Sequence, residues 1–176
     1  KVVHVRNQDV LENTELALDK IAKHLPSTSG RGAGGEGKTP VDPRRLGVFW
    51  HTQGAGKSYS MVFFTRKIRR RLGGNFTFLI LTDREDLDTQ IYKTFAGCGV
   101  VDHDRDPCRA ASGTNLSGLL RQQKAYVFSL IHKFNTAVDS DEGYTQRDDI
   151  IVITDEAHRT QYGTLALNMR NALPNA

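Results

Sequence analysis

Gly47-Val48-Phe49-Trp50-His51-Thr52-Gln53-Gly54-Ala55-Gly56-Lys57-Ser58 is the stretch whose reading decides the fold. A short apolar run, Leu46 to Trp50, enters a glycine-bearing loop, and a helical pattern from Lys57 to Leu72 leaves it. Gly54 and Gly56 allow backbone amides to close on an anion, and the helix N-terminus that follows adds positive potential. The Lys57 ammonium then reaches β- and γ-phosphates, and the Ser58 hydroxyl is placed to hold a magnesium ion. Thr52, Gln53, Gly54, Ala55, Gly56, Lys57 and Ser58 are thus candidate nucleotide-binding residues. His51 stands where the strict phosphate-loop pattern has its first glycine. A chance Gly-x-Gly-Lys-Ser in a loop is the alternative, and the strand before it and helix behind it argue against chance.

Outward from this stretch, short apolar runs alternate with helical segments. Leu46 to Trp50, Phe76 to Leu81, Ala125 to Ile131 and Ile150 to Thr154 lack period-two alternation, as expected of strands buried on both faces of a parallel sheet. Helices are predicted at Lys57 to Leu72, Asp86 to Phe95, about Leu116 to Gln123, and after His158. The pattern predicts an α/β domain with right-handed crossovers, its parallel sheet covered by helices on both faces. Upstream, Val10, Leu11, Leu18, Ile21 and Leu25 recur at helical spacing, predicting an amphipathic helix that Pro26 ends. Residues 27–45 are polar and glycine-rich and read as a mobile surface loop. The organisation expected is therefore 1–26, an N-terminal helix, 27–45, a loop, and 46–176, the main domain.

The length of 176 residues argues for one domain. Twenty-four Lys+Arg against 20 Asp+Glu gives +4, compatible with a phosphate-bearing partner without establishing one. No apolar run reaches the roughly 18 residues of a membrane span, which predicts a protein without a membrane partner. Cys98 and Cys108 have no metal-ligand spacing around them and read as two free thiols. The first residue is Lys1, with no signal peptide behind it, and both ends read as cut from something longer. Five positive charges between Arg66 and Arg71 lie at the end of a predicted helix, where they complement its dipole as a solvated face.

The second informative segment is Ile150-Ile151-Val152-Ile153-Thr154-Asp155-Glu156-Ala157-His158-Arg159. Two carboxylates at the carboxyl end of a buried strand suit metal binding by Asp155 and polarisation of an attacking water by Glu156. Capping of the next helix is the bland alternative, which the phosphate loop upstream disfavours. Together the two segments predict ATP hydrolysis with ATP and Mg2+ as cofactors.

These residues resemble a known family. Asp155-Glu156-Ala157-His158 is similar to motif II of the DEAH-type superfamily 2 helicases and translocases, and Thr52 to Ser58 to their motif I. With Trp50 to Ser58, Leu81 to Gln90 and Asp155 to Gly163 taken together, the chain from about Leu46 to Ala176 resembles the restriction (R) subunit of type I restriction-modification enzymes. The resemblance implies a RecA-like motor domain that hydrolyses ATP to translocate double-stranded DNA before cleavage, in a cytoplasmic complex with modification and specificity subunits. It implies catalytic roles for Lys57, Asp155, Glu156 and His158, with His158 linking the γ-phosphate to the next DNA-contacting motif. Thr82 and Arg84, at the position of motif Ia, become DNA-phosphate contacts. Lys133 is a further phosphate candidate after the third strand, where His132 replaces the usual glutamine. Gln8 is the candidate adenine contact, while Gln90 reads as a helix-surface residue.

Other readings stay open at this point. They are a different superfamily 2 DNA or RNA helicase, a small-molecule phosphotransferase, and a nucleotide-gated module without catalysis. Neither a motif III of the Thr-Gly-Thr-Pro kind nor a second RecA-like lobe with an arginine finger is found, so the 176 residues alone are expected to bind ATP weakly and hydrolyse it poorly. The nuclease carboxylates of the family are not found either.

Overall fold

The computed structural model describes residues 4–5, 48–49, 55–102, 107–135, 143–155 and 163–176. Two compact units divide the chain, Lys1–Lys57 and Ser58–Ala176. In the first, β1 (His4–Val5) pairs parallel with β2 (Val48–Phe49), in the register His4 to Val48 and Val5 to Phe49. The expected N-terminal helix and the glycine-rich loop lie outside the described residues.

The second unit is built on β3 (Thr77–Thr82), β4 (Tyr126–Leu130) and β5 (Ile150–Thr154), a parallel sheet in the order β4-β3-β5. All six β3 residues and all five of β4 are buried, as their unbroken apolar runs require. The register places Thr82 beside Leu130 and Leu81 beside Thr154. Among the described residues, four helices accompany this sheet: α1 (Lys57–Leu72), α2 (Glu85–Gly97), α3 (Gly113–Arg121) and α4 (Thr164–Ala172).

Alternation along each strand sends successive side chains to opposite faces. One face carries Leu79, Leu81 and Val127, which join Leu116, Leu119 and Leu120 of α3 and Met169 and Ala172 of α4 in one apolar core. The other carries Phe78, Tyr126 and Phe128. Phe95 of α2 meets Tyr126 and Phe128 edge-on at 5.6 and 5.2 Å, and the Tyr126 hydroxyl donates to Thr65 Oγ1 of α1 at 3.4 Å. Helices therefore cover both faces, as the sequence pattern predicts. Each fully buried Leu or Phe contributes about 1.5–3 kcal/mol, so this layering dominates the stability of the unit.

The bounds of β3, β4 and β5 differ from the expected ones by a residue or less, and α1 matches, while the run expected over Leu46 to Trp50 is described as a strand at Val48–Phe49. The start of α3 is corrected: it begins at Gly113 rather than near Leu116. Ser112 caps it, accepting the Asn115 N–H at 3.1 Å, while Asn115 Oδ1 accepts the Ala111 N–H at 2.9 Å. Ile131, expected to end the third strand, instead opens a short 3₁₀ turn, Ile131–Phe134. Cys108 and Ala110 flank a parallel bridge between Arg109 and Phe128 that extends the sheet beyond β4. Both cysteines are free, Cys108 buried and Cys98 half-buried. No described helix is long and apolar enough to cross a membrane.

Gly113 sits where a Cβ would come within 2.8 Å of the Lys133 carbonyl oxygen. Overpacking of this kind costs about 1–3 kcal/mol, against a gain in helix propensity of at most about 1 kcal/mol from alanine. Gly113→Ala is expected to be destabilising by about 1–2 kcal/mol in denaturant unfolding. A midpoint equal to or above that of the wild type would contradict the close approach.

Candidate nucleotide and nucleic-acid site

Parallel pairing brings the carboxyl ends of β3, β4 and β5 to one edge of the sheet. After them come Thr82-Asp83-Arg84, the Ile131–Phe134 turn and Asp155. The Asp155 N–H donates to the Leu81 carbonyl at 2.9 Å, which continues the ladder one residue past β5. The start of α1 reaches this edge as well. Only residues 73–76 join α1 to the amino end of β3, and Thr65 and Arg69 both meet Tyr126 at the amino end of β4. Ser58 precedes Thr65 by two helical turns, about 10 Å of axial rise, so it lies toward the carboxyl edge.

Gly56 enters α1 at φ +78°, a conformation that L side chains resist. This leaves the first amides of the helix facing outward, with Gly56 exposed and Lys57 and Ser58 half-buried. Such a terminus fits a polyphosphate through its N–H groups, the Lys57 ammonium and the dipole. Asp155 is 7% exposed, a carboxylate held at the edge by backbone pairing. Asp83 Oδ1 is buried there with no hydrogen-bond partner, an acceptor that suits an added donor or cation. No group of three or more His, Cys, Asp and Glu gathers among the described residues as a metal cage. Mg2+ keeps most of its waters and binds through one or two protein oxygens plus phosphate, so Ser58 and Asp155 fit it without such a cage.

The expected DNA contacts divide. Arg84 is exposed, and its ion pair with Asp86 at 3.6 Å is solvated, with side-chain exposures of 54% and 70%. Thr82 is fully buried, its hydroxyl turned to the Arg84 carbonyl at 3.5 Å, so it shapes the turn rather than presenting a hydroxyl to solvent. Lys133 is half-buried and donates to the Ala110 carbonyl, which leaves two of its three hydrogens for another acceptor. His132 and Gln90 are exposed. Of the basic run, Arg69 stacks over the Tyr126 ring at 5.8 Å, and Arg69, Arg70 and Arg71 form the last turn of α1. Ala55 is exposed. Gln8, Thr52, Gln53, Gly54, Glu156 and His158 lie outside the described residues.

Sequence reading missed two features of this edge. The buried Asp88 of α2 pairs with Arg109, and Asp83 keeps its orphaned oxygen. No local period links positions 88 and 109. Asp83 was legible only as part of the Thr82-Asp83-Arg84 motif.

The family model for the SWI2/SNF2 ATPase matches residues 14–176, and the chain belongs to that family. Among curated proteins, it is 43% identical over 145 residues to a putative type I restriction enzyme endonuclease subunit (MjaIXP) of Methanocaldococcus jannaschii, covering 80% of this chain and 13% of that protein. It is 39% identical over 153 residues to the type I restriction enzyme HindI endonuclease subunit of Haemophilus influenzae, covering 76% of this chain and 14% of the relative. The resemblance read from the three motifs is thereby borne out, as is the α/β ATPase fold. The chain spans between 13% and 14% of the length of these two relatives. No solved structure matches it.

Solvation of the Arg84 pair makes a direct prediction. An exposed pair of this kind contributes about 0–1 kcal/mol, so Arg84→Ala should leave the thermal unfolding midpoint within about 4 °C of wild type. A larger loss would assign Arg84 to the scaffold.

Proposed function

We propose that the chain is the nucleotide-binding motor lobe of a type I restriction enzyme R subunit, coupling ATP hydrolysis to translocation of double-stranded DNA before cleavage. The observation that supports this reading is the shared carboxyl edge, where Asp155 pairs with Leu81 beside the Thr82-Asp83-Arg84 turn and toward which the Ser58-bearing start of α1 runs. The motor lobe is residues 46–176, preceded by the helix of 1–26 and the loop of 27–45. Its setting is a cytoplasmic complex with modification and specificity subunits.

In this reading the segment from Thr52 to Ser58 binds the phosphates, with Lys57 countering charge that builds on the transferred group. Ser58 and Asp155 would hold Mg2+, which when bound would supply neutralisation of that charge. Asp155 is suited to this because the sheet fixes its backbone before any ligand arrives, so little reorganisation accompanies binding. Glu156 polarises the attacking water, and His158 links the γ-phosphate to the DNA-contacting segments. Arg84 contacts DNA phosphate directly, Lys133 does so with its remaining hydrogens, and Thr82 acts through the turn it fixes. Such contacts hold the duplex without reading its sequence, as a translocating motor requires. Gln8 contacts the adenine.

ATPase measurement on the complete subunit in its complex, with unmodified target DNA, tests the reading. Lys57→Ala and Asp155→Ala are each expected to lower DNA-stimulated turnover about 100-fold or more, about 2.7 kcal/mol of barrier. Wild-type-like turnover in either variant would sink the proposal, and stimulation by RNA equal to that by DNA would redirect it to an RNA motor.

A further inference from the structure

We propose that Arg109 is a positioning residue that sets the spacing between the two edge segments assigned above to DNA, the turn at residues 82–84 with α2 behind it and the Ile131–Phe134 turn. The inference rests on that DNA reading. It starts from α2, which follows Arg84 directly and whose first turn is closed by the Asp88 N–H donating to the Arg84 carbonyl at 3.0 Å. Asp88 is 6% exposed, and its Oδ2 accepts from both Nε (3.1 Å) and Nη2 of Arg109. Nη2 also donates to Thr89 Oγ1 at 3.2 Å, and the guanidinium lies 5.1 Å from the centre of the Tyr92 ring. One planar group therefore touches α2 at positions 88, 89 and 92, across a full helical turn.

The backbone of the same residue is fastened to the sheet. Phe128 N–H donates to the Cys108 carbonyl at 2.8 Å, and Ala110 N–H donates to the Phe128 carbonyl at 2.9 Å. The next carbonyl, that of Ala110, receives the Lys133 ammonium. Gly113 then packs so closely against the Lys133 carbonyl that no side chain fits between them. A continuous path runs from Arg84 through Asp88, Arg109 and Ala110 to Lys133.

Stability does not account for this arrangement. Asp88 Oδ1 is buried with no partner, so the pair carries desolvation that its own hydrogen bonds do not fully offset. What the fork of Arg109 supplies is orientation. Its rigid plane fixes the angle and distance of α2 relative to the bridge, which a flexible ammonium does not do.

The test uses the complete subunit in its complex and two variants. Arg109→Lys keeps the charge and loses the planar fork. Asp88→Leu with Arg109→Met removes both charges and leaves no unpaired buried ion, so that folding is preserved, as a cooperative melt will show. In both, the DNA concentration for half-maximal ATPase is expected to rise roughly fivefold or more, while kcat at saturating DNA and ATP affinity without DNA stay within about twofold. Arg84→Ala is measured alongside as a direct contact. A DNA requirement within about twofold of wild type in both variants, with that of Arg84→Ala raised, overturns the positioning role and leaves the DNA reading standing. No change in Arg84→Ala either overturns the DNA reading, and the inference with it. Parallel losses of kcat and ATP affinity would make Arg109 a structural residue only.

Discussion

The constraint on which the second unit depends is the double pairing of β3. A central strand must hydrogen-bond on both edges and, with helices on both sides, hide every side chain it carries. Thr77–Thr82 meets that condition, all six residues being buried between parallel partners. Parallel partners cannot be reached by tight hairpins, so each return needs a crossover, which between β3 and β4 carries α2 and α3. The apolar runs thus dictate the layers, and the layers dictate that all three strands end at the same edge.

The two edges of the sheet are treated differently. At the amino edge, Arg147 grips Asp149 through Nε and Nη2 at 2.7 and 2.9 Å. It also donates to the Leu120 and Gln122 carbonyls at 3.1 and 2.7 Å and to the Thr77 hydroxyl at 2.9 Å. Nearly all its donors are spent on internal acceptors, a closure suited to holding the start of the sheet shut. At the carboxyl edge, Arg84 is solvated and Asp83 keeps an unmatched acceptor. Polar capacity unspent at one end and exhausted at the other is the asymmetry that the proposed site at the carboxyl edge requires.

Much of this was legible in the sequence because it rests on local rules. The Gly56-Lys57-Ser58 entry and the glycines after Leu72 mark both ends of α1, and the unbroken run at Ile150 to Thr154 gives β5 to the residue. The start of α3 was not, since Gly113 has weak helix propensity and only the Ser112 cap, three residues before Asn115, betrays it. The turn at Ile131 also escaped, because its alternation of buried and exposed residues begins inside an apolar run. Pairs such as Asp88 with Arg109 leave no periodic trace, being set by how α2 lies against the bridge. The family resemblance gave roles to Asp155 and Lys57, whereas burial alone showed that Thr82 and Arg84, neighbours in one motif, face opposite environments.

The bond from the Asp155 amide to the Leu81 carbonyl has a consequence in time as well as in space. Opening it requires parting the end of the ladder between β3 and β5, whose central strand is wholly buried. Amides of that kind open on the timescale of global unfolding, while surface turns open far more often. The carboxylate proposed for the metal is thus tied to the paired sheet, and Arg84 to an exposed turn. On the proposed reading, a motor lobe with this division would keep its chemistry on a fixed frame while its grip on DNA exchanges.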